Sequence, residues 1–146
     1  GFLMTSYSKI YDAFLAKILE DEWAGWNPAN IEEDLKQILD SAIPYFKFPR
    51  KNLLDRTDGE FNEDLDNEEI QILASYMKVE WLNRSLMTWE NIRPMYDEVD
   101  FSPANLMDKM RKMLAQEISK AANLEARYYR SRKGKPFDFT KMAGKQ

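Results

Sequence analysis

Cysteine and histidine are both absent from this 146-residue chain. Without cysteine there is no disulfide, zinc ribbon, iron–sulfur ligation or thiol nucleophile. Without histidine there is no imidazole ligand, and the commonest general base near neutral pH is missing. Glycine is scarce as well, five residues scattered along the chain, whereas phosphate-cradling loops need closely spaced glycines ahead of a helix. No apolar run approaches the roughly 20 residues of a membrane span. The N-terminus has no basic region followed by an apolar stretch, so no signal peptide is expected. Gly1-Phe2-Leu3 ahead of Met4 read as a cloning remnant and are set aside.

What remains is a globular mixture. Hydrophobic residues make up 44% and charged residues 32%, enough for a chain of this length to bury one core without cross-links. The net charge of −4 gives no uniform attraction to nucleic acid.

Four segments carry helical signals. The first runs from about Tyr7 to Trp23, with Ser6 as N-cap and Ile10, Phe14, Ile18 and Leu19 at helical spacing. Gly25 ends it. The second opens at Asn27-Pro28, a polar cap followed by proline, and buries Ile31, Leu35, Ile38, Leu39 and Ala42. Pro44 should end or kink it. The third has a capping box, Asp66 with Glu69, and a hydrophobic staple, Leu65 with Ile70. Ile70, Leu73, Ala74, Met77 and Trp81 line one face and Ile72, Val79 and Leu86 a second, the pattern of a central or interface helix. Trp81 is expected to be a packing anchor. The fourth begins at Ser102-Pro103 and carries Leu106, Met110, Met113, Leu114, Ile118, Ala121 and Leu124 toward Tyr128. At 1.5 Å per residue it reaches roughly 40 Å.

The segment from Phe46 to Leu65 is too long for an ordinary helix–helix turn. It starts apolar and basic, with room for a short strand near Phe46 to Arg50, and turns acidic from Asp55 to Asp64. Its part from Lys47 to Asp64 is expected at a subunit or partner contact, with 52–60 dispensable for folding of the monomer. Residues 4–133 are expected to form one helical domain and 134–146 a flexible C-terminal arm. The fold class is therefore all-α: a bundle of about four helices with a long last helix, one long irregular loop and an extended tail.

Candidate chemistry is thin. Asp64, Asp66, Glu68 and Glu69 form an acidic cluster but lack the glycine and the distant glutamate of a calcium loop. A helix start enriched in acids explains them better. Glu20, Asp21 and Glu22 look like a solvated helix face. No catalytic residue, cofactor or metal is assigned, and the chain is expected not to be an enzyme. Surface contact is the better prospect. Phe46, Phe48 and Arg50 in the loop, Met87, Trp89, Met95 and Tyr96 as an adaptable methionine–aromatic surface, and Arg130, Arg132, Lys133, Phe137 and Phe139 at the C-terminal end are the candidate interface residues. Arg127, Arg130, Arg132, Lys133 and Lys135 alternate with Tyr128 and Tyr129. Such a mixture holds phosphates and stacks on bases, or simply suits a helix C-terminus.

A resemblance rests on three stretches. They are Phe61-Asn62-Glu63-Asp64-Leu65 continuing into Glu68-Glu69-Ile70, Ile72-Leu73-Ala74, Met77 and Val79-Glu80-Trp81-Leu82; Phe101-Ser102-Pro103-Ala104-Asn105-Leu106-Met107-Asp108-Lys109; and Tyr7-Ser8-Lys9-Ile10-Tyr11-Asp12-Ala13-Phe14. Together they resemble small helical neck, or head–tail connector, proteins of tailed bacteriophages, chiefly those of Gram-positive hosts. The resemblance implies a homo-oligomeric ring, commonly twelvefold, seated on the portal of the DNA-filled head. Its further partners would be the next neck or tail component and DNA passing through the channel without sequence specificity. Its place would be the virion neck, and the host cytoplasm during assembly. The alternative is a helical nucleic-acid-binding regulator using the basic end of the last helix.

Overall fold

The computed structural model describes residues 4–19, 31–92, 103–132 and 135–136. Strand β1 (Thr5–Ser6) leads directly into α1 (Tyr7–Leu19), and α2 (Ile31–Ala42) follows. The Ser6 hydroxyl accepts the Ser8 amide at 3.2 Å, so Ser6 caps α1 as its sequence position predicts. Helix α2 stops at Ala42, and Ile43–Tyr45 tighten into a 3₁₀ turn around Pro44. Two short strands, β2 (Arg56–Thr57) and β3 (Glu60–Phe61), precede α3 (Asn67–Ile92). The long α4 (Pro103–Arg130) runs into β4 (Ser131–Arg132), which pairs with β5 (Lys135–Pro136). The expected starts of the second and fourth helices, at Asn27-Pro28 and Ser102, and the expected end of the first at Gly25 lie outside the described residues.

Helix α3 is the centre of the bundle, packing against α1, α2 and α4. The capping box at its start is present in both directions. The Glu69 amide donates to Asp66 Oδ1 and the Asp66 amide to Glu69 Oε1, each at 2.9 Å. Ile10, Phe14, Leu39, Leu73, Ala74 and Met77 are sealed in the main core, with Trp81 also buried at its edge. A smaller cluster of Leu86, Met107 and Met110 joins the end of α3 to the start of α4. No described helix is long and apolar enough to cross a membrane.

Among its described side chains, helix α4 departs from its apolar reading at Ile118. Ile118 is 48% exposed, because Glu117 takes the inward place on that turn and pairs with Lys78. The inward row runs Met107, Met110, Glu117, Ala121, Glu125 and Tyr128, spaced as a helix requires but interrupted by two carboxylates.

The segment after the 3₁₀ turn is folded, and differently from expectation. No strand forms over residues 46–50. Instead β2 and β3 make a hairpin across Asp58-Gly59, with Arg56 opposite Phe61 and Thr57 opposite Glu60. Gly59 has φ +78, where a side chain would be strained. Strand β1 pairs with the other edge of β3, giving a three-stranded antiparallel sheet in the order β1-β3-β2. Buried Thr5 locks it by donating to the Glu63 carbonyl at 2.9 Å and accepting the Leu65 amide at 2.8 Å. Leu53 is buried in the main core, and Arg56, Thr57 and Glu60 are paired in the sheet. Loss of residues 52–60 would therefore remove core and sheet contacts, against the expectation that it spares folding of the monomer.

Candidate assembly surface

The chain from Phe46 to Leu54 lies between the 3₁₀ turn and the hairpin, and most of its order comes from the far end of α4. The Arg50 amide donates to the Tyr128 hydroxyl at 2.7 Å, and the Phe48 amide donates to the Tyr129 hydroxyl at 3.2 Å. These amides are satisfied by side chains rather than by a neighbouring strand, which is why no strand forms here. The Arg50 guanidinium sits 3.9 Å from the Tyr128 ring centroid and donates to the backbone carbonyls of Tyr128 and Ser131. Two ring contacts add to this. Phe46 meets Tyr128 edge-on at 5.2 Å, and Phe48 meets Tyr129 edge-on at 6.0 Å.

Beneath the loop lies a buried carboxylate. Glu69, only 1% exposed, accepts from the Tyr128 hydroxyl at 2.6 Å, from Lys51 Nζ at 3.2 Å and from the Asp66 amide. Lys51 also donates to the Asp64 carbonyl. One glutamate therefore caps α3, anchors the end of α4 and ties down the loop. A buried carboxylate is tolerated only when donors surround it, and here they do. Alongside, Glu125 accepts the hydroxyls of both Tyr76 and Tyr129, and Tyr76 stacks on Tyr45 at 5.6 Å. Burial first, and hydrogen bonds to these glutamates second, push the hydroxyls of Tyr76, Tyr128 and Tyr129 above the usual tyrosine range. They stay protonated donors at neutral pH.

Held in this way, the loop turns apolar side chains outward. Phe48 is 72% exposed and Leu54 77%, and Tyr45, at the end of the 3₁₀ turn that leads into the loop, is also exposed. Leu53 points in while Leu54 points out, fixed by an Asx turn in which the Leu54 amide donates to Asn52 Oδ1 at 3.1 Å. A shallow groove of ≈ 420 Å³ runs beside them, lined by Pro44, Lys47, Pro49 and Leu54 among others. The Arg56–Asp40 ion pair at 2.7 Å ties the hairpin to α2.

The candidate interface residues fall in several places. Phe46 is 3% exposed and belongs to the core, where it supports the loop from below. Phe48 is at the surface, and Arg50 is exposed as well, with its guanidinium donating to the carbonyls of Tyr128 and Ser131. Arg130 is exposed near the same end of α4. Met87 is exposed beside Leu86, at the other end of the α3–α4 pair. The side chains of Trp89 and Arg132, and residues Met95, Tyr96, Lys133, Phe137 and Phe139, lie outside what is described, as do Glu20, Asp21 and Glu22. The acidic cluster at 64–69 does not converge as a ligand set, since Glu69 faces inward to its own donors. Among the described residues no group of three potential ligands could hold a metal. Tyr128 has no exposed surface and so has no face to offer a base.

Sequence reasoning missed Tyr45 and Leu54 as surface residues, and Lys51, Glu69, Glu125, Tyr128 and Tyr129 as the clamp that presents them. The Asp58-Gly59 pair was the available signal for the hairpin. No known family model, characterised protein or solved structure matches this chain.

Proposed function

We propose that this chain is a structural subunit that works by docking to further copies of itself and to partner proteins. Its most specific form is a subunit of a tailed-phage neck ring, joining the portal of the DNA-filled head to the tail and lining the DNA channel. The neck assignment follows from the sequence resemblance in the first, third and fourth helices. The observation that carries the assembly reading is the clamped loop, with Phe48 and Leu54 outward and its backbone held by Tyr128 and Tyr129. A loop ordered before contact loses little conformational entropy on binding. An exposed aromatic group on such a scaffold, with apolar neighbours, suits the centre of an interface.

The nucleic-acid reading has less support at the residues first assigned to it. Among the described residues its aromatic half is occupied internally and its exposed charges are Arg127 and Arg130; the side chains of Arg132, Lys133 and Lys135 lie outside what is described. Native mass measurement together with electron microscopy of the purified protein tests the assembly reading, with closed rings the expected result. Steeply salt-dependent binding to any duplex, with no oligomer at any concentration, would favour the regulator instead.

A further inference from the structure

A second cleft lies on another side of the bundle, where α1, α3 and α4 meet. It has a volume of ≈ 250 Å³ and is lined by Lys17, Ser75, Lys78, Glu117, Lys120 and Arg127, among others. Inside it, Lys78 Nζ and Glu117 Oε2 form a buried ion pair at 3.5 Å, and Lys78 also donates to the Lys17 carbonyl at 3.3 Å. Glu117 is thus neutralised and fixes the lysine in place. Lys17, Lys120 and Arg127 have no acidic partner among the described residues. Among the described lining residues, four cations against one carboxylate leave a formal charge of +3, in a chain whose net charge is −4.

Ser75 supplies the second observation. It is 1% exposed, and its hydroxyl has no hydrogen-bond partner. A serine inside a helix usually bonds back to the carbonyl one turn earlier or points to solvent. A buried hydroxyl that does neither calls for a partner from outside the chain. A water could satisfy that hydroxyl, but a water would not draw on the cations that line the same cleft.

We propose that this cleft is a binding site for a phosphate-class oxyanion. The Ser75 hydroxyl and Lys78 would hold it at the floor and Lys120 and Arg127 at the rim. A phosphoryl group offers three or more strong acceptor oxygens to these donors, whereas a carboxylate offers two. The site does not depend on the assembly reading, and it is separate from the clamped loop. Its phosphate comes either as a small free ion or from a nucleic-acid backbone.

The test is a titration of the full chain with inorganic phosphate, against chloride at matched ionic strength, followed by calorimetry and thermal denaturation. Saturable binding that raises the midpoint is expected. Ser75→Ala, and separately Lys120→Ala with Arg127→Ala, should each weaken it by about tenfold or more, the weight of a charge-assisted hydrogen bond. The rim residues are exposed, so the double variant should keep the wild-type circular dichroism. Displacement of phosphate by a short duplex would assign the source to a nucleic-acid backbone, and lack of displacement to a free phosphate. Either supports the site. Absence of saturable phosphate binding would overturn it, and so would equal binding by the variants or equal binding of glutamate.

Discussion

The two ends of the α3–α4 pair are built on opposite principles. At one end Glu69, Tyr128, Lys51 and Arg50 form a network in which each polar group has a defined partner. At the other, Leu86, Met107 and Met110 form a small cluster of flexible and aliphatic side chains. Met110 and Tyr128 stand 18 positions apart on α4, about 27 Å along the helix. The network selects one geometry, because a buried carboxylate has few satisfied arrangements. The methionine cluster accepts many, because thioether chains repack at little cost. The rigid end is the one that presents exposed Phe48 and Leu54.

This contrast predicts a graded mutational response. Tyr128→Ala should be the most damaging, costing about 3–5 kcal/mol by the measure of a buried aromatic side chain and leaving Glu69 without its closest donor. Chemical denaturation would read it, and a loss under 1 kcal/mol would mean that the clamp is not structural. Tyr128→Phe keeps the ring and removes only the hydroxyl between Glu69 and the Arg50 amide. A cost of about 1–3 kcal/mol is expected, with faster hydrogen exchange at the Arg50 amide. At the opposite end, Met107→Leu and Met110→Leu should each cost less than about 1.5 kcal/mol. Equal sensitivity of the two ends would erase the distinction.

Alkaline pH acts on the same end. The tyrosine hydroxyls of the clamp titrate above their unfolded value, so the unfolded chain loses those protons first. Their contribution to stability is complete below about pH 10 and falls as pH rises beyond it. The denaturation midpoint should therefore drop above that pH, and drop less steeply in Tyr76→Phe with Tyr129→Phe. An unchanged slope in that variant would place the alkaline loss elsewhere.

Much of this architecture is legible because its signals are local. Asp66 and Glu69 stand three residues apart, and their reciprocal cap follows directly from that spacing. The role of Glu69 in the clamp is not legible in the same way. Its partner Tyr128 is 59 residues distant, and nothing in a helix start announces a tyrosine from the end of another helix. The hairpin escaped for a different reason. Each of its strands has two residues, too few for alternation to show, so only Asp58-Gly59 marked it. Ile118 was read as inward because an apolar stripe has no place for Glu117, yet the Lys78 pair makes that place.

The smallest expected effect on stability is also the most direct test of function. Phe48→Ser with Leu54→Ser changes two exposed side chains, so stability should fall by no more than about 0.5 kcal/mol for Leu54 and about 1 kcal/mol for Phe48, whose ring meets Tyr129 edge-on. Sedimentation velocity and electron microscopy of this variant beside the wild type would test the central claim. Closed oligomers of the wild type that fall to folded monomers in the variant are the predicted result. Oligomers that form equally well without Phe48 and Leu54 would contradict it.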